Sequence, residues 1–197
     1  FNLTSNSRVL EIGSNDGYLL QHFVASNIPC QGVDPAGQAA KVAKKKGVRT
    51  IVGFFDKTTS EYIMEHFGKC DLIIGNNVFA HIPKIRDFIS NIKYCLSEKG
   101  FISLEFPHLA KLVEHTQFDT IYDEHYFYHS IIALKNIFSE FRLKIIEVNE
   151  ISTHGGSLRI FLTHEKNNVY PISDSVNNIL HKELSLNLGQ KEGFQTF

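Results

Sequence analysis

A chain of 197 residues with 43% hydrophobic and 21% charged side chains holds enough apolar surface for one sizeable core and at most two small domains. Its formal net charge of −1 argues against a broad nucleic-acid or anionic-membrane surface. Three separated cysteines, Cys30, Cys70 and Cys95, form no CxxC pair, so neither a zinc site nor a disulfide framework is legible, and a reduced, cytoplasmic setting is expected.

Taken in order, residues 8–12 (RVLEI) read as a short buried strand running into the turn GSNDG at 13–17, followed by an amphipathic helix over 18–25. A second strand over 30–33 ends at Asp34-Pro35. A helix over 38–46 is closed by Gly47, and its lysines 41, 44, 45 and 46 suit the negative end of the helix dipole. Strand 49–52 precedes helix 58–67, which Thr58 or Thr59 can cap. Strand 71–74, helix 85–96 and strand 101–105 follow. Residues 109–128 read as irregular and are rich in His, Tyr, Asp and Glu. Helix 129–140, strands 143–148 and 158–163 and a last helix over 174–188 complete the chain.

The alternation of strands and helices predicts an α/β fold: a Rossmann-like parallel sheet with helices on both faces. The last two strands, joined by a short Gly-containing loop, predict a closing antiparallel hairpin. That is the architecture of class I methyltransferases. In such sheets a ligand sits beyond the carboxyl ends of the strands. The first such end carries Glu11, Gly13, Ser14, Asn15, Asp16 and Gly17. A dinucleotide fingerprint GxGxxG is absent. Acidic Glu11 and Asp16 would repel a pyrophosphate and suit a cationic ligand such as S-adenosylmethionine. Asp34 can accept from both ribose hydroxyls, Phe54, Phe55 and Asp56 can edge the adenine, and Asn76 can line the methionine end. Each has a plainer alternative: the glycines as a turn, Asp34 as a helix cap, the phenylalanines as core.

The segments EIGSNDGYLL (11–20), GVDP (32–35), NNVFAHIP (76–83), FDTIYDEHYFYHS (118–130) and THGGSLR (153–159) together resemble the sugar C-methyltransferase family, typified by the 3-C-methyltransferases of antibiotic deoxysugar pathways. The resemblance implies an S-adenosylmethionine-dependent enzyme that methylates carbon of a nucleotide-linked 4-keto-deoxysugar through an enolate. It assigns His125 as the general base, Tyr122 and Glu124 as hydrogen-bonding and orienting groups, and His81 as a further active-site histidine. His81, Tyr122, Glu124 and His125 are expected to converge at one pocket. It also implies a zinc-binding N-terminal domain and a further C-terminal domain outside this chain. Residues 1–165 would then be the cofactor-binding domain and 166–197 a helical segment leading onward. Zinc is expected only in the N-terminal domain and no metal here: His125 and His129 are four residues apart, but no third ligand accompanies them. His154 and the glycines after it can contact substrate or simply make a turn. The other readings are an O- or N-methyltransferase of another small molecule, and a non-catalytic cofactor-binding domain.

Overall fold

The computed structural model describes residues 1–195 and 197. It holds a seven-stranded mixed sheet in the order β3 (Thr50–Val52), β2 (Cys30–Asp34), β1 (Val9–Ile12), β4 (Cys70–Asn76), β5 (Leu96–Pro107), β7 (Ser157–His164), β6 (Leu143–Ile151), the expected parallel sheet with an antiparallel end. Two compact units share the chain: residues 1–76 with 84–102, and residues 77–83 with 103–197.

The first unit contains β1 (Val9–Ile12), β2 (Cys30–Asp34), β3 (Thr50–Val52) and β4 (Cys70–Asn76), with α1 (Leu20–Ala25), α2 (Gly37–Lys45), α3 (Lys57–His66) and α4 (Ile85–Cys95). All four residues of β1 are buried, as expected of a parallel strand covered on both faces. It pairs in parallel with β2, Val9 opposite Cys30, and with β4, Val9 opposite Leu72. The apolar stripe of α4, Phe88, Ile89, Ile92 and Cys95, is buried at the helical spacing. The cap of α3 is Asp56, whose carboxylate accepts from the Thr59 amide at 2.9 Å, rather than Thr58 or Thr59.

Strand β5 (Leu96–Pro107) follows α4 directly and is longer at both ends than residues 101–105 suggested. From Ser103 onward it belongs to the second unit. That unit adds α5 (Leu109–Glu114), α6 (Ile131–Glu140), β6 (Leu143–Ile151), β7 (Ser157–His164) and α7 (Asp174–Ser185). β6 and β7 form the expected antiparallel hairpin, Leu143 opposite His164 and Ile151 opposite Ser157, with a shift of register between Ile145 and Glu147. The stretch read as irregular holds α5 and a 3₁₀ turn at Phe118–Thr120. α6 starts at Ile131, later than expected, because Ser130 is its cap and accepts from the Ala133 amide. Within this unit α7 packs on β6 and α6.

Candidate active site

In the first unit, the loop after β1 is tied to the end of β2. The Gly13 and Ser14 amides donate to the Val33 carbonyl, and the Asn15 amide donates to Asp34 Oδ2 at 2.7 Å. Asp34 Oδ1 accepts from the Ala36 amide at 2.8 Å. The buried carboxylate therefore organises both the loop and the entry to α2, and each oxygen keeps a lone pair for a ligand. Gly13, Asn15 and Gly17 all have positive φ, so the tight turn read from the sequence is present.

Behind this loop lies a cluster of buried polar atoms. Glu11, Gly32 and Thr50 are register partners across β1, β2 and β3. A Cβ on Gly32 would fall 2.4 Å from Ser14 Oγ and 3.1 Å from Thr50 Oγ1, so only glycine fits between them. Glu11 Oε2, Ser14 Oγ and Thr50 Oγ1 all lack a hydrogen-bond partner among the described residues. Burial first, and the neighbouring Asp34 second, push the Glu11 carboxyl up to about 8. Asp16, expected to add negative charge, is instead paired with Lys46 at 2.7 Å, which holds its carboxyl low. Asp34 suits sugar hydroxyls, a cationic group beside Glu11 would draw its carboxyl into the charged form, and an anionic pyrophosphate is disfavoured next to both. S-adenosylmethionine fits this chemistry. Asn76 ends β4, half-buried. Phe55 points into the core, with its ring edge-on to Phe88 at 5.7 Å; the ring offered to solvent is its neighbour Phe54, 75% exposed.

The second unit carries a cavity of about 470 Å³, lined by Asn77, His81, Tyr122, His125 and His154 among others. His125 Nδ1 lies 2.9 Å from the Thr120 carbonyl. A carbonyl only accepts, so Nδ1 carries the hydrogen and Nε2 presents the lone pair. The Tyr122 hydroxyl donates to that Nε2 at 2.9 Å. His81 is set the same way: its Nδ1–H donates to the Glu124 carbonyl at 2.9 Å, which leaves Nε2 as the acceptor nitrogen. The two imidazole rings are 4.8 Å apart. Three of the four expected residues thus share one pocket. The fourth, Glu124, acts through its main-chain carbonyl, while its side chain is exposed and not part of the lining.

Spacing alone did not single out Pro107, Gln117, Asp119 or Thr120, which also line the cavity. Gln117 Nε2 donates to the Gly155 carbonyl at 2.8 Å and ties the β6–β7 turn to this wall. Arg159, in the THGGSLR segment, pairs with the buried Glu105 near the end of β5. His129, four residues from His125, stacks on Phe79 at 4.4 Å, and burial pushes it down to about 4.

Comparison with known families decides the class. The methyltransferase domain family matches residues 1–148. The chain belongs to that family. Its members use S-adenosylmethionine as methyl donor, in agreement with the carboxyl groups of Glu11 and Asp34 at the strand ends of the first unit. The C-methyltransferase C-terminal domain family matches residues 152–197 of this methyltransferase domain chain. The C-methyltransferase NovU of Streptomyces niveus is 36% identical over 159 residues, which cover 81% of this chain and 38% of that relative's length. Among solved structures, a chain of the complex between the Haloferax volcanii Trm112 methyltransferase activator and a methyltransferase has a TM-score of 0.67 at 14% identity, covering 83% of this chain and 84% of its own. The magnesium protoporphyrin IX methyltransferase of Synechocystis PCC 6803 with bound S-adenosylhomocysteine has a TM-score of 0.61 at 14% identity, covering 79% and 73%. Both share the fold.

Proposed function

We propose that this methyltransferase transfers a methyl group to carbon of a nucleotide-linked 4-keto-deoxysugar, with His125 as the base that forms the enolate. The observation that carries this reading is the His125 Nε2 lone pair, held in one tautomer by Thr120 and hydrogen-bonded to the Tyr122 hydroxyl inside the cavity. Methylating carbon requires removal of a proton beside a carbonyl, and a neutral imidazole has the basicity for it near pH 7. The C–H electron pair becomes the enolate π bond, and the proton passes to Nε2. For that transfer the Tyr122 O–H, about half exposed, turns from Nε2 to the oxygen on which negative charge develops, which frees the Nε2 lone pair for the proton. His81 offers a second imidazole to the same cavity. Glu11 and Asp34, with Gly13, Ser14, Asn15 and Gly17 shaping the loop, would hold S-adenosylmethionine through its ammonium and ribose, and Phe54 rather than Phe55 would cover the adenine. When bound, the cofactor supplies an electrophilic methyl carbon. The relative's C-methyltransferase name and the match to the C-methyltransferase C-terminal domain family support carbon as the acceptor.

Incubation of the intact protein with methyl-¹³C cofactor and a 4-keto-6-deoxy nucleotide-sugar tests this. One-bond ¹³C–¹³C coupling to a ring carbon is the expected result. A methyl group coupled only through oxygen or nitrogen would replace this function with O- or N-methylation.

A further inference from the structure

Glu183 lies on α7, far in sequence from the cavity, and is fully buried. Its carboxylate accepts three hydrogen bonds. His108 Nε2–H and the Ile131 amide both donate to Oε1 at 2.8 Å, and the Ile132 amide donates to Oε2 at 2.9 Å. His108 and Ile131 are the two ends of the excursion that carries Thr120, Tyr122 and His125. A main-chain bond closes the same stem, the Leu109 amide donating to the His129 carbonyl, and the His108 amide donates to the Gly156 carbonyl of the β6–β7 turn, each at 3.0 Å. A carboxylate in a dry core is costly unless its lone pairs are used, and an apolar residue of the same size commonly serves stability as well. Here the lone pairs are spent on the stem of one excursion.

We infer that Glu183 is a positioning residue for the reaction: by holding His108 and the first turn of α6 together, it fixes both ends of the segment that aims His125 and Tyr122. This rests on the reading of His125 as the base. The C-terminal helix thereby contributes to catalysis without touching substrate. Proton transfer is sensitive to small displacements of the base, so a loosened stem slows the chemical step while leaving the acidic loop of the first unit alone.

Glu183→Gln in the intact protein tests it, because the amide turns one acceptor into a donor without changing volume. Amide hydrogen exchange over residues 118–128 should quicken by about tenfold or more, with residues 8–76 unchanged. Affinity for S-adenosylhomocysteine should stay within about twofold, and deuterium exchange at carbon beside the ketone should slow by about tenfold or more with little change in substrate KM. His108→Leu should reproduce the loss, whereas His108→Gln, which retains an N–H donor, should keep most of the wild-type rate. Wild-type protection over 118–128 in Glu183→Gln would overturn the inference. So would loss of protection spread evenly along the chain together with cofactor binding. If Glu183→Gln does not fold, equal rates in the two His108 variants overturn it. If the wild-type protein exchanges no proton on any 4-keto sugar, the base assignment fails, and the amide exchange pattern alone judges the clamp.

Discussion

Glu11 and His129 are pushed in opposite directions by the same cause, because burial disfavours whichever form is charged. Glu11 rises from 4.5 to about 8, so between those values the folded state holds a proton that the unfolded state has lost. Its contribution to stability is complete below pH 4.5 and fades as pH climbs towards 8. His129 falls from 6.5 to about 4, so between those values the unfolded state binds the extra proton. Its contribution is complete above pH 6.5 and fades as pH falls towards 4. Glu11→Gln should therefore flatten the alkaline limb of the stability profile, gaining about 1–3 kcal/mol at pH 8 over wild type, and His129→Phe should flatten the acid limb. Denaturant unfolding from pH 4 to 9 measures both; profiles parallel to wild type would contradict the burial of these groups as the cause. At this scale the places of Asp34 at the end of β2 and of His125 on the cavity wall could be read from a strand pattern and a motif. Asp16 and Phe55 were misjudged because a side chain's partner, Lys46 in one case and Phe88 in the other, is not visible in local sequence. Glu183 left a signal: it falls on the buried stripe of α7 with Val176 and Ile179, where a carboxylate needs an explanation.

At the scale of elements, the β6–β7 turn shows why a Gly-Gly pair can matter beyond flexibility. Gly156 has φ +115°, and a Cβ there would lie 2.7 Å from Lys111 Cγ; one on Gly155 would lie 2.7 Å from Gln117 Nε2. The bare backbone lets the turn press against α5 and the 3₁₀ turn and brings His154 to the cavity wall. Gly156→Ala should cost about 1–3 kcal/mol from backbone strain and contact together, which lowers Tm by roughly 2–4 °C per kcal/mol for a chain of this size. A thermal scan of the variant with an unchanged Tm would show that the turn tolerates a side chain. The first four strands were readable because buried parallel strands give apolar runs bounded by turn residues. α5 was hidden because six residues in an aromatic-rich stretch carry less than two turns of helical period.

At the scale of the molecule, class I topology was legible from the alternation of elements and the late hairpin, and the family match over residues 1–148 agrees with it. The unit boundaries were not legible, since residues 77–83 return to the unit formed mainly by 103–197 and no linker composition marks the crossing. The central claim is that His125 removes a proton from carbon beside a ketone. The intact protein with a 4-keto nucleotide-sugar and S-adenosylhomocysteine in D₂O, where no methyl transfer can occur, reads that step alone. The account predicts deuterium in the position beside the carbonyl, and a rate lower by roughly 10²-fold or more in His125→Asn. A wild-type rate in His125→Asn would contradict it and move the base elsewhere, with His81 the next candidate.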